Sequence, residues 1–582
     1  MGTIADKLTR IITTKEDIRQ ALISKGYDVP TSIPFKEYAK MILDLPCNAD
    51  SFPDIEGIVA RYSASGLTNE QMAANPVWAD KTGNGRDLQL KNFSWKRMSG
   101  VGGYVQDFND FRNNATVDKI RIDEQGSNSI KVTILTTGIN NAIYIPKNIY
   151  QFNKSYFIKI SSEGYDEGDM ALSFYAPSTS TATTVTVSLN PNGITEIPAI
   201  KEDDFLAVYI NVSGKVGSFT VEQLPLYPGA LVFDGVDDFG VCENFPILTK
   251  EKGYTVVALR QWISIDEGPC GLVSNVKHWF EDGAFVLESL YPENYYTTSF
   301  GATRGQKDLP HILTYQTSKS YNGNLIATGS YKGTDVLHVG RLASTNVGTR
   351  SNVAIWELVF LDHDATEEEL TKIKDYFVKT YPWLFPDQAW TVTGKTNEDE
   401  DRATIANITG NGNDLVLSNF GFIEGSGYNK EGEYAGYLVT DGVDDKITSS
   451  IFEMGNDWTV IGDWELINTG KKDNAGIVKF DSIVIYNYNP ILINIKNGRN
   501  NLIPDQNTVN AICSDGRIYS KDWKESIYNE ETESTSKNFL TIGYSGNSYT
   551  KIAFKNLAIY PTVLSKEDCI KAYNYLQTLK AK

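Results

Sequence analysis

Apolar residues follow two different rhythms along the chain. At the start they recur at helical spacing: Ile4, Leu8, Ile11 and Ile12, then Ile18, Ala21 and Leu22. Thr14 and Asp17 can cap the second of these helices, and Gly26 can stop it. A third short helix is predicted from Phe35 to Leu43, behind Pro34. Helices this short are not stable alone and must dock on something. The stretch LPCNADSFP, residues 45–53, reads as a linker.

Beyond it, β-type alternation takes over, and the chain repeats itself. TGNGRDLQLKNF (82–93) returns as TGNGNDLVLSNF (409–420), and LVFDGVDD (231–238) returns as LVTDGVDD (438–445). HVGR (338–341) followed by AIWELVF (354–360) parallels TIGY (541–544) followed by AFKNLAIY (553–560). A helical pattern closes each series, ATEEELTKIKDYF (365–377) and SKEDCIKAYNYL (565–576). Three motifs in one order, with one closing helix, indicate a duplication.

The spacing within the copies differs. TGNG and DGVDD stand about 150 residues apart in the first copy and about 30 apart in the second. An insertion of about 120 residues therefore interrupts the first copy. It carries strands of its own, among them KVTIL (131–135), YFIKI (156–160), TTVTVSL (183–189) and FLAVYINV (205–212). The predicted layout is a helical anchor at 1–45, a linker at 46–53, a first repeat at 54–104 plus 227–385, an inserted β-sandwich at 105–226, and a second repeat at 386–582.

Composition supports a mainly β reading. The 582 residues include 32 Tyr, 25 Phe and 10 Trp, which suit half-buried pleated surfaces, and 47 Gly, which suit turns. With 54 Lys+Arg against 73 Asp+Glu, the formal charge is −19. That surplus argues against nucleic acid and anionic membranes as partners. Five cysteines without a C-x-x-C spacing argue against a disulfide scaffold and a thiolate zinc site. There is no apolar signal core at the start and no run of ~18 apolar residues, so membrane insertion is not expected.

The paired motifs resemble the concanavalin A-like, laminin-G-like (LamG) jelly-roll family. DKTGNGRDL (80–88) and ITGNGNDL (408–415) match its first turn, and LVFDGVDDF (231–239) and its counterpart at 438–446 match its second. Tyr254–Val257 with Trp262, and Trp458–Val460 with Trp464, stand near its third motif. The match covers about 350 residues and implies tandem jelly-roll sandwiches, each of two antiparallel sheets. The N-terminal helices, through IPFKEYAKMI (33–42), are similar to modules that open fibre proteins of Bacteroidales phages. Together the resemblances imply a virion appendage, a tail or head fibre. It would attach to other virion proteins through its helices and bind host-surface glycans as a lectin. No heptads persist beyond the helical start, so a homotrimer on the particle would be held there or through sandwich faces, with the free chain monomeric. A glycan depolymerase and a ligand-free decoration protein are the alternatives.

Three sets of residues are candidates for chemistry. Asp234, Asp237 and Asp238, and Asp441, Asp444 and Asp445, could hold calcium through hard oxygen ligands, although no cofactor is required. A tight turn around Gly235 and Gly442 explains the same residues. Trp279, Tyr291, Tyr295 and Tyr296 are the glycan candidates, because aromatic faces stack on sugar C–H faces and YPENYY is hard to bury. Tyr486, Tyr488 and Trp523 are the second copy's aromatics. No E-x-D-x-E strand and no nucleophile elbow is present, so no catalytic residue is expected. EDED (398–401) reads as a solvated loop.

Overall fold

The computed structural model describes residues 52–582 apart from 114–117, 182, 249–252, 265–269, 275–285, 291–308, 317–334, 342–349, 433, 468–475, 481–482, 487–491, 496–498, 503–508, 521–522, 524, 528–539, 546–547 and 582, together with Lys15 and Arg19. The fold is mainly β, and every ladder between named strands is antiparallel among the described residues. Residues 1–56 with 367–380 form one compact unit, and 57–366 with 381–582 form another.

In the smaller unit, Lys15 and Arg19 are helical, and the rest of the three expected helices lies outside the described residues. The helix Glu367–Thr380 opens on three glutamates, which suit the positive end of its dipole. It buries Ile373, Tyr376 and Phe377, and the Phe52 ring meets Tyr376 edge-on at 5.0 Å. The expected start at Ala365 moves to Glu367. Ala365 is held outside the helix, its N–H bonded to Thr255 Oγ1 and its carbonyl to Gln316 Nε2.

The larger unit contains two sandwiches of matching topology. In the first, one sheet runs His311–Gln316, Thr255–Ser264, Asn352–Leu361, Leu231–Asp234, Gly100–Val101, with Ile58–Ser63 also on Asn352–Leu361. In the second, Val509–Cys513, Thr459–Leu466, Ile552–Tyr560, Leu438–Val439 and Gly427–Tyr428 follow the same order, with Gln388–Thr391 also on Ile552–Tyr560. The facing sheets correspond as well: Cys270–Ser274, Leu337–Val339, Phe239–Cys242 and Leu88–Lys91 match Gly476–Phe480, Thr541–Ile542, Lys446–Thr448 and Leu415–Ser418. Alternation sets the faces: Leu88 and Leu90 enter the core while Gln89 and Lys91 point out. Each sandwich has its own apolar core, around Trp78 and Trp262 in one and around Trp390 and Trp464 in the other.

The copies even share a β-bulge. Leu259 and Arg260 face Glu357 and Ile355, leaving Trp356 as the extra residue. Asp463 and Trp464 face Asn556 and Phe554, leaving Lys555 extra. A bulge re-aims the side chain it carries.

Two five-stranded sheets lie between residues 112 and 223 and enclose a third core, from Val105 to Val221. The chain enters and leaves this sandwich side by side: Leu226 and Tyr227 donate their N–H groups to Gly103 and Gly102 carbonyls at 2.9 and 2.8 Å. Between the repeats, the short turn Pro382–Leu384 packs on the closing helix Lys566–Leu576. Tyr560 donates to the Trp383 carbonyl at 3.0 Å, and Lys571 lies over the Trp383 ring.

Candidate functional site

A crevice of about 920 Å³ opens between the inserted sandwich and the second repeat. Its floor is aromatic but largely covered, with Phe157, Trp523 and Tyr573 each exposed by 7% or less. Phe157, from the inserted strand Tyr156–Glu163, meets Tyr573 of the closing helix edge-on at 5.5 Å. Tyr573 meets Trp523 at 5.7 Å, and Tyr437 completes the floor. Trp523 holds φ 57°, a conformation that costs a bulky residue energy, and its N–H bonds the Ser520 carbonyl. The walls are polar. Ser188, Asn190 and Thr195 stand on the inserted side, and Thr393, Asn429 and Asn510 on the other.

The bulge residue Lys555 is the ionic centre. Its ammonium lies 3.7 Å from Glu196 of the insertion and 3.8 Å from Asp463 of its own repeat. Asp463 also accepts from Tyr437 Oη and Gln577 Nε2, both at 3.0 Å. Burial works to lower the Lys555 pKa, but Glu196 and Asp463 outweigh it and raise it. Tyr437 is pushed well above its ordinary value, by burial first and the Asp463 charge second. Lys555 therefore stays charged and ties the two sandwiches together. Trp356 occupies the same bulge in the first repeat and donates to the Pro228 carbonyl instead. One scaffold position thus carries packing in one copy and charge in the other.

The aspartate motifs form twin turns. Asp234 Oδ1 accepts from the Val236 and Asp237 N–H groups, and Asp441 Oδ1 from those of Val443 and Asp444. Asp238 Oδ2 accepts from Asp234 N at 3.1 Å, and Asp445 Oδ2 from Asp441 N at 2.8 Å. Ser99 donates to Asp238 Oδ1 at 3.1 Å. Gly235 turns at φ 79°, and a Cβ there would lie 2.8 Å from Asn352 Cβ. Burial, then the Asp234 charge, pushes Asp238 up to about 7. Burial likewise pushes Asp445 up to about 6. Carboxylate oxygens of each triad lie within 4.8 Å of one another. Calcium takes six to eight oxygens, and in each triad the turn already uses oxygens of two of the three carboxylates. The donor set fits a turn lock better than a calcium cage.

The TGNG turns are also locked from within. Asp80 Oδ1 accepts from the Arg61 and Thr82 N–H groups, and Asn407 Oδ1 does the same for Ala389 and Thr409. Both turns feed strands. In the EDED run, Asp399 bonds Thr396, and Glu398 pairs with Lys430.

Of the glycan candidates, Trp279, Tyr291, Tyr295 and Tyr296 lie outside the described residues, as does Tyr488. Trp523 is brought to the crevice floor. Sequence reasoning missed Glu196, Tyr437 and Lys555. One signal was present: aligning AIWE (354–357) with AFKN (553–556) puts Lys555 opposite Trp356.

No family profile matches the chain, and no curated protein matches it in sequence. Among solved structures, Trypanosoma rangeli sialidase in complex with sialic acid is 10% identical, over 82% of this chain and 97% of that one, with a TM-score of 0.25. The binding domain of botulinum neurotoxin serotype D is 9% identical over 58% and 88%, with a TM-score of 0.21. The CBM22 tandem of Paenibacillus barcinonensis Xyn10C is 10% identical over 45% and 98%, with a TM-score of 0.14. Overlap this low assigns neither ligand nor activity.

Proposed function

We propose that this chain is a non-catalytic glycan-binding protein of a bacteriophage virion, a tail or head fibre. The crevice carries the binding half of the reading. Sugars have apolar faces ringed by hydroxyls, and an aromatic floor between amide and hydroxyl walls complements both. The rest follows the sequence resemblance: the N-terminal helices dock on other virion proteins, and the β-domains face host-surface glycans. Binding requires no cofactor. The ionic groups of the crevice hold the protein together: Glu196 and Asp463 both face Lys555, which disfavours either as the proton donor a glycosidase needs.

A glycan array probed with the whole chain tests the reading. Retention of a restricted set of glycans, with no reducing ends released from them on prolonged incubation, is expected. Release of reducing ends would make the chain a depolymerase. Absence of any binder at high protein concentration would leave a decoration protein.

A further inference from the structure

The outer face of the first repeat's second sheet carries a cluster that the crevice does not use. Phe239 lies opposite Lys91 on the neighbouring strand, and Val241 lies opposite His338, so these four side chains share the outward face. Together with Arg341 they line a cavity of about 600 Å³. The Arg341 guanidinium sits 3.5 Å above the Phe239 ring centroid, and that of Arg350 sits 5.3 Å from it. Arg341 Nε and Nη2 both reach His338 Nδ1, at 3.1 and 2.9 Å. His338 Nδ1 must then be an acceptor, so this histidine is neutral.

Two like charges are thereby crowded onto one ring. Among the described residues no carboxylate comes within ion-pair distance of either guanidinium, although Glu243 and Asp335 stand on the cavity rim. Arg350 Nε is buried without a hydrogen-bond partner. Burial first, and the Arg350 charge second, pull Arg341 down to about 10. The same neighbourhood holds His338 at about 4, through burial first and the two arginines next. Such crowding of two like charges at a partly buried place costs free energy, and an arriving anion relieves it. Arg341 is also pre-oriented: the ring and the histidine hold its Nε–Nη2 edge, and Nη1 lies on the other edge.

We propose that Arg341 and Arg350, arranged around Phe239, recognise an oxyanion-bearing sugar residue, with a carboxylate or sulfate as the shared chemistry. The inference rests on the glycan-binding reading and names one ligand class within it. Lys91, exposed on the same face, adds charge to the approach. Among the described residues no carboxylate competes for either guanidinium, and charge-assisted hydrogen bonds would bind the anion.

The test uses an array bearing uronate-containing, sulfated and neutral glycans, probed with the wild-type chain and with the double variant Arg341→Gln/Arg350→Gln. Wild-type binders should include uronate or sulfated glycans, and the two arms identify which oxyanion is preferred. The double variant should lose at least tenfold in affinity for them and keep any neutral binders. A second measurement needs no variant: methyl esterification of a bound uronate glycan should abolish its binding to the wild-type chain. Binding of neutral glycans alone overturns the anion site and leaves the glycan reading standing. Equal binding of acidic glycans by both proteins, or of the methyl ester, also overturns it. Absence of any binder overturns both.

Discussion

The buried pair Arg61–Glu357 shows how much can rest on single side chains. The two lie 3.3 Å apart at 5% and 0% side-chain exposure, and Tyr381 Oη donates to the same carboxylate at 2.8 Å. Burial raises the Glu357 pKa, and Arg61 is the largest effect opposing it. Arg61→Ala would leave that charge buried without its cation, so a loss of about 3–5 kcal/mol is expected by denaturant unfolding. Asp238 makes a different prediction. Its folded pKa lies above its unfolded value, so the folded state binds the proton more tightly. Its stabilisation is complete below about pH 4 and is lost as pH rises through about 7. His338 works the other way, losing stability as pH falls from 6.5 towards 4. The difference in melting temperature between wild type and Asp238→Asn isolates the aspartate. That difference should favour the wild type more at pH 5 than at pH 8. A pH-independent difference would contradict the assignment.

At the scale of elements, the duplication was legible because two copies of one motif set can be compared with each other. The DGVDD turns and the L-x-L strands stand where the spacing put them, and the closing helices begin within two residues of it. The bulges were not legible, because an extra residue in one strand is defined only by the partner strand's register. The crevice was hidden for a similar reason. Glu196 is more than 300 residues from Trp523 and Lys555 and meets them only once the inserted sandwich lies against the second repeat. The sequence favoured a turn at Asp234 and Asp441 over a calcium site, because each motif offers few ligands and recurs in both copies, and the acceptor bonds show that turn. The paired crossing at Gly102–Gly103 and Leu226–Tyr227 yields a further prediction. Replacing residues 105–226 by a short Gly/Ser linker should leave both repeats folded, since the ends already sit side by side. Circular dichroism showing an unfolded product would contradict those boundaries.

For the whole molecule, the proposal joins a helical anchor to glycan-facing sandwiches. Removing residues 1–45 should leave the β-domains folded and keep the chain off assembled particles; normal incorporation would contradict the anchor. Repetition of weak sites on a particle raises avidity by ~10²–10⁴ when the geometry permits. The central claim is that the crevice binds the glycan. Ala199 and Ala435 are exposed and lie on its opposite walls, so a tryptophan there fills the space without disturbing a core. The most direct test is titration calorimetry of the best neutral array glycan, one that Arg341→Gln/Arg350→Gln still binds, against wild type, Ala199→Trp and Ala435→Trp. The account predicts at least a tenfold loss of affinity in both variants at unchanged melting temperature. Wild-type affinity in both, with the fold intact, would contradict it.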